Sequence, residues 1–247
     1  MERQREFLQA AYVLHARPYG DTSSLVEALT REHGRVGLVA KGARSPKARR
    51  RGLLQPFQPL TISWTGRGEL FTLTDVEAAG RPLVLGGDAL ISGFYLNELA
   101  VRLLRRGDPH PELFDDYRDA LAALTEQAAP GPVLRVFEKR LLEHLGYGVS
   151  FAHDVTGAEV DAQRHYRYLP EEGIAPAAQA SSGSVSGAAL LALAAEDAKA
   201  LKAHAREARD LLRQALSPHL GPRPLKSREL FRYSRSPSSS EGDHESE

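Results

Sequence analysis

The hydrophobic period of this chain changes once, near Pro82, and that change divides it into a strand-built part and a helix-built part. Before it, short apolar runs are separated by turn residues. Residues 8–17 stop at Pro18-Tyr19-Gly20-Asp21, residues 25–30 at Glu32-His33-Gly34, and Val36, Leu38 and Val39 follow. After Pro56 and Pro59, Leu60, Ile62 and Trp64 alternate with Thr61, Ser63 and Thr65, which puts three apolar side chains on one face of a strand. The tip Gly66-Arg67-Gly68 returns the chain into residues 70–74. Five short strands with a long loop between the third and fourth predict a small barrel over residues 1–81, of the OB or an SH3-like type.

Beyond Pro82, Ala and Leu at helical spacing predict helices over 89–106, 111–128 and 133–145, with Gly146 as a left-handed cap. Residues 147–187 read as an irregular insertion, and two further helices are expected at 188–195 and 199–216. Residues 222–230 close the ordered part of a helical domain over 82–232, and the serine- and acid-rich 233–247 reads as a disordered tail. The expected fold class is α+β: a barrel followed by an all-helical domain with a small irregular insertion.

Charge points to a polyanionic partner. Formal net charge is zero, yet residues 41–51 hold six cations, Lys41, Arg44, Lys47, Arg49, Arg50 and Arg51, and no acid. Arg17, Arg35 and Arg67 add cations around the barrel, and Tyr12, Tyr19, Phe57, Trp64 and Phe71 are its aromatics. An OB barrel binds single strands through a basic groove and exposed rings on which bases stack. Tyr19, beside a turn, is the stacking candidate, whereas Trp64 and Phe71 are expected in the core. The chain has no cysteine, so disulfides, zinc ribbons, iron–sulfur clusters and thiol nucleophiles are excluded. No apolar run approaches the roughly 18 residues of a membrane helix, so a cytoplasmic, nucleoid-associated location without membrane contact is expected.

Enzyme signatures are missing: no phosphate loop, dinucleotide fingerprint, nucleophile elbow or H-E-x-x-H helix occurs. Asp108, His110, Glu112, Asp115 and Asp116 have ligand types for a divalent cation, which keeps a metal-dependent nuclease or phosphodiesterase as one alternative, beside a pure protein-interaction adaptor that would show no salt-sensitive DNA affinity. Acids at a helix start, offsetting its dipole, explain most of that cluster better. Glu143-His144 and His153-Asp154 lack an identifiable nucleophile. In the third helix Leu134, Phe137, Leu141 and Leu145 form an apolar stripe flanked by Arg135, Lys139 and Arg140. It reads as core with a solvated rim or as a groove for an acidic peptide with apolar anchors, contacted by Leu134, Arg135, Phe137, Lys139, Arg140 and Leu141.

Several segments together resemble the RecO family of bacterial recombination mediators, in its proteobacterial branch. They are Ala11-Tyr12-Val13-Leu14-His15-Ala16-Arg17-Pro18, Gly34-Arg35-Val36-Gly37-Leu38-Val39-Ala40-Lys41-Gly42-Ala43-Arg44-Ser45, Leu54-Gln55-Pro56-Phe57, Leu141-Leu142-Glu143-His144-Leu145-Gly146-Tyr147 and Leu225-Lys226-Ser227-Arg228-Glu229-Leu230. The resemblance implies an OB domain, no covalent catalysis and no cofactor. It also implies binding of single-stranded and duplex DNA, annealing, capture of the acidic tail of single-strand-binding protein, and work with RecR to load RecA. The phosphate role carries over to Arg35, Lys41 and Arg44; Lys47, Arg49, Arg50 and Arg51 match by charge and place alone. Many relatives carry a four-cysteine zinc module. Here His153-Asp154-Val155-Thr156-Gly157 stands at its opening, so no structural zinc is expected and Phe151 with residues 166–169 must hold the region by packing.

Overall fold

The computed structural model describes residues 4–45, 52–126, 129–181 and 183–235, with 232–235 as backbone only. Lys47, Arg49, Arg50 and Arg51 lie outside the described residues, as does most of the stretch read as a tail.

Five strands, β1 (Gln4–Tyr19), β2 (Ser23–Thr30), β3 (Gly34–Ala40), β4 (Leu60–Gly66) and β5 (Leu70–Ala78), close a barrel in the order β1-β2-β3-β5-β4. The β3–β5 pairing is parallel and the others antiparallel, the OB arrangement rather than an SH3-like one. Closure depends on β1, which pairs with β4 through residues 4–11 and with β2 through residues 11–19. Register shifts between Glu6 and Gln9 and between Val13 and His15 bend it from one partner to the other. Val13, Val26, Leu38, Ile62, Trp64 and Leu73 fill the interior, each at most 2% exposed. Tyr12, Leu14 and Leu29 face outward and join the helical core, with Tyr12 against Phe114 and Tyr117. Burial on both faces explains why Ala11-Tyr12-Val13-Leu14 is a continuous apolar run instead of an alternating one.

The helical part contains α1 (Gly87–Leu103), α2 (Pro111–Thr125), α3 (Pro130–His144), α4 (Gly187–Ala194), α5 (Ala198–Ala203), α6 (Ala205–Leu220) and α7 (Lys226–Arg235). Prolines open α2 and α3 where a missing N–H costs nothing. Gly146, at φ 79°, ends α3 as anticipated; its N–H reaches the Glu143 carbonyl and that of Tyr147 the Leu142 carbonyl. Helix α1 stops three residues before its expected end, because Arg106 bridges to Gly34 and Arg35 of β3. Buried Asn97 joins the two parts, donating to the Leu14 carbonyl at 3.0 Å and accepting from the Tyr117 hydroxyl at 2.6 Å.

Two parts differ from the sequence reading. The 147–187 stretch is not irregular: β6 (His165–Leu169), β7 (Gly173–Ala177) and β8 (Ser184–Ser186) form an antiparallel sheet ordered β7-β6-β8. Its inward Tyr166, Ile174 and Val185 join Phe151 in the helical core. At the 153–157 turn, Asp154 Oδ1 accepts from the Thr156 N–H at 2.8 Å, the Thr156 hydroxyl at 2.6 Å and the Ala158 N–H at 3.2 Å. The second difference is α7, whose N-terminus is held from α1: Glu98 accepts from the Lys226 and Ser227 N–H groups, both at 2.9 Å, and from the Ser227 hydroxyl at 2.7 Å.

Candidate nucleic-acid interface and a basic cavity

Directly paired residues of neighbouring strands point to the same face. The outer face across β1, β2, β3 and β5 therefore carries three rows: His15, Glu27, Gly37 and Leu70; then Arg17, Leu25, Val39 and Thr72; then Tyr19 and Ser23. In the first row Glu27 and Gly37 are covered, whereas His15 and Leu70 are exposed. The Arg106 guanidinium lies on Gly37, where a Cβ would come within 2.9 Å of it, and is paired with Glu27. In the other rows Leu25 is buried and Val39, Thr72 and Ser23 are half-buried, while Arg17 is exposed, Tyr19 is 47% exposed, and Lys41 projects into solvent just past β3. Arg67 is exposed at the β4–β5 tip that leads into Leu70. Among the described residues, Arg17, Lys41 and Arg67 form no ion pair.

Arg35 and Arg44 are occupied within the fold. Arg35 donates to the Val101 carbonyl at 2.8 Å and sits 3.6 Å from Glu27, and burial lowers its pKa. It ties β3 to α1 rather than facing solvent. Arg44 donates through Nη2 to the Gly20 and Asp21 carbonyls, both at 2.6 Å, and through Nε to the Ser23 carbonyl at 3.1 Å. Its neighbour Ala43 is 4% exposed in the barrel core, and Gly42 turns the chain at φ 68°. The K-G-A-R segment thus latches the barrel end against the β1–β2 turn and leaves Lys41 outward. Among the aromatics, Trp64 and Phe71 lie in the barrel core as expected, Tyr12 and Phe57 in the helical core, and Tyr19 alone is largely exposed.

On α3, Leu134, Phe137 and Leu141 are 7%, 2% and 0% exposed and belong to the core. Lys139 bonds Glu196 at 2.8 Å and Glu143 at 3.2 Å; Arg140 pairs with Glu196 and Asp116. Glu196, held at φ 52° between α4 and α5, neutralises both cations that flank the stripe. Arg135 faces the other way, into a cavity of about 800 Å³ between α1, α3, α6 and α7. There it donates to Glu138 at 2.7 Å, and the Tyr95 hydroxyl donates to the same carboxylate oxygen at 2.5 Å. Burial pushes the Glu138 carboxyl up despite the Arg135 charge. Leu134 and Phe231 supply apolar wall, and Arg206, Arg209, Arg213 and Arg228 also line the cavity. Sequence spacing missed this second set of cations, because they come from α6 and α7. A smaller cavity, about 490 Å³, lies between α2, α3 and α5, with Val133, Val136 and Phe137 as lining and Arg140, Lys199 and Lys202 beside them.

The acids considered as metal ligands do not converge. Asp115 pairs with Arg31 and Arg118, Asp116 with Arg140 and His144, and Asp108 lies 3.6 Å from His110, while Glu112 is in the first turn of α2. No group of three or more His, Asp or Glu side chains suited to a metal occurs among the described residues. His144 turns to Asp116, away from any role with Glu143, and His153 bridges through its backbone to Glu159. No helix among the described residues is long and apolar enough to cross a membrane.

Residues 1–81 match the family model described as "Recombination protein O N terminal" and residues 86–229 that described as "Recombination protein O C terminal". A protein of Alkalilimnicola ehrlichii named "DNA repair protein RecO" is 50% identical over 236 residues, covering 94% of this chain and 93% of that protein. Proteins of the same name from Nitrosococcus oceani and Pseudomonas aeruginosa are each 49% identical, over 230 and 223 residues, covering 92% and 90% of this chain and 93% and 94% of theirs.

Proposed function

The chain belongs to the RecO family, and from that membership we propose that it serves DNA repair and recombination in the cytoplasm as a non-enzymatic mediator. In this reading it binds single-stranded and duplex DNA, anneals complementary strands and, with RecR, helps RecA onto DNA covered by single-strand-binding protein. The carrying observation is the outer face of the barrel, where Arg17, Tyr19 and Lys41 are exposed and neither cation forms an ion pair among the described residues. A phosphate path along the cations beside an exposed ring is what a sequence-tolerant single-strand site needs. Placing two strands against one cationic surface screens their mutual repulsion, so annealing requires no nucleotide.

The acidic tail of single-strand-binding protein fits the larger cavity by chemistry: arginines for its carboxylates and the Leu134 and Phe231 walls for an apolar anchor. Lys139 and Arg140, already neutralised, drop to a supporting role in this assignment. The test is to mix the protein with labelled complementary strands in magnesium or manganese. Annealing with both strands intact supports the mediator reading, and sustained cleavage overturns it in favour of a nuclease.

A further inference from the structure

We propose that the arginine-lined cavity between α1, α3, α6 and α7 also receives this chain's own acidic segment, residues 236–247, which competes there with the acidic partner peptide. The proposal rests on reading that cavity as a peptide site.

Charge is the first argument. Residues 236–247 contain Glu241, Asp243, Glu245 and Glu247 and neither Lys nor Arg, whereas the rest of the chain holds 32 cations against 28 acids. The cavity has the opposite sign: five arginines line it against the acids Asp88 and Glu138. Asp210 pairs with Arg206 and Arg209, but Arg213 and Arg228 form no ion pair among the described residues.

The second argument is an incompletely satisfied interior. Arg135 and Glu138, 7% and 1% exposed, line the cavity, and Arg135 Nε and Glu138 Oε2 have no hydrogen-bond partner among the described residues. Buried polar atoms in that condition mark a place where a polar ligand group is accommodated. With the Glu138 carboxyl pushed toward its neutral form by burial, Oε2 can present an O–H donor instead of a repelling charge. A carboxylate entering here meets donors on both residues.

The third argument is the tether. Phe231 and Arg228 of α7 are themselves cavity wall, and the helix ends at Arg235, four residues and about 6 Å further along. Six more residues reach Glu241, a span of up to about 20 Å, which exceeds the roughly 6 Å between the end of α7 and the cavity wall at Phe231. A ligand tethered so closely has an effective concentration in the millimolar range. Even a weak segment then occupies the cavity for much of the time and raises the apparent Kd of a competitor in proportion.

The experiment compares the full chain with one shortened after Arg235, which leaves every described residue in place. The probe is the labelled acidic tail peptide of single-strand-binding protein, and hydrogen exchange over α6 is followed in parallel. Shortening is expected to tighten probe binding about two- to tenfold at low salt, to lose that advantage at high salt, and to speed exchange around Arg206 to Arg213. Full-length protein with Glu241, Asp243, Glu245 and Glu247 changed to Gln or Asn should match the shortened chain. Equal probe affinity together with equal exchange in the two chains overturns the proposal. Arg213→Glu in the shortened chain separates it from its premise. Probe binding that ignores this substitution refutes the peptide-site reading alone, and binding that depends on it but not on residues 236–247 refutes the tail alone.

Discussion

Arg17→Ala with Lys41→Ala tests the proposed DNA face most directly, because the structure separates free cations from committed ones. Neither side chain has an internal ion pair among the described residues, so their removal leaves the fold's hydrogen bonds intact. Each phosphate contact contributes about 0.7 to the slope of log K against log salt on single strands. The double variant should therefore flatten the slope by about 1.4. Between 50 and 200 mM salt, a fourfold change, that corresponds to a loss of affinity about sevenfold smaller than the parent's. Arg35→Ala is the control. Its guanidinium serves the Val101 carbonyl and Glu27, so the substitution should cost about 1–2 kcal/mol of stability while the slope stays where it was. Fluorescence anisotropy of a labelled oligonucleotide at four or more salt concentrations, beside thermal melts, reads both quantities. An unchanged slope in the double variant, or a slope flattened by Arg35→Ala alone, would refute the placement of the phosphate path.

Other substitutions probe the surrounding framework. Burial acts to raise the Glu98 carboxyl, but the donors of Ser227 and Lys226 outweigh it and hold its pKa below the ordinary value. Its contribution is thus fully present above the ordinary carboxylate pKa and is lost as pH falls through the lowered one. Glu98→Gln should remove that acid dependence and speed hydrogen exchange of residues 226–235, at a cost of about 0.5–2 kcal/mol typical of a lost cap. Gly34 has φ 61°, and a Cβ there would stand 1.9 Å from the Asp108 carbonyl oxygen. Gly34→Ala should cost about 3 kcal/mol or more, against about 1 kcal/mol for Gly20→Ala, whose Cβ meets open space; similar melting temperatures would contradict the contact. Arg135→Ala leaves Glu138 buried with only Tyr95, and a raised carboxyl pKa makes stability fall as pH rises above the ordinary carboxylate value. Melts of that variant from about pH 4 to pH 8 should show the decline, and a flat profile would place Glu138 in contact with water. A permutation of residues 46–52 that keeps their composition should leave affinity and salt slope within about twofold, since phosphate contacts carry no sequence; a tenfold loss would reveal a fixed geometry there.

Strands were legible where one face alone is buried. Leu60, Ile62 and Trp64 alternate with polar residues because the opposite face of β4 is wetter, and period and structure agree. β1 carries no such mark over residues 4–10, where Phe7 and Leu8 are 55% and 68% exposed, so its first half exists through pairing with β4 and not through pattern. Helix α7 was hidden for a related reason. Lys226-Ser227-Arg228-Glu229-Leu230 has little apolar content, and the group that starts the helix, Glu98, lies 129 residues from Ser227. The flanking cations of α3 show the same limit from the other side. Lys139 and Arg140 look available in sequence, but Glu196, 57 and 56 residues downstream, is paired with both.

The 41–51 run joins two kinds of constraint in one stretch of chain. Its first part is geometric: Gly42 must turn at positive φ, Ala43 must fit the barrel interior, and Arg44 must span three carbonyls of the opposing turn. None of these tolerates displacement by one residue, which is a physical reason for the order K-G-A-R at this point. Its second part, if it contacts phosphate as proposed, contributes charge alone, a demand that many arrangements of Lys and Arg meet. In the proposed function, a latch followed by a cationic stretch separates where the chain leaves the barrel from how strongly it holds phosphate. On that reading, substitutions at Lys47, Arg49, Arg50 and Arg51 should change salt dependence with the melting temperature unchanged, whereas changes at Gly42 to Arg44 should lower stability first and DNA binding through it.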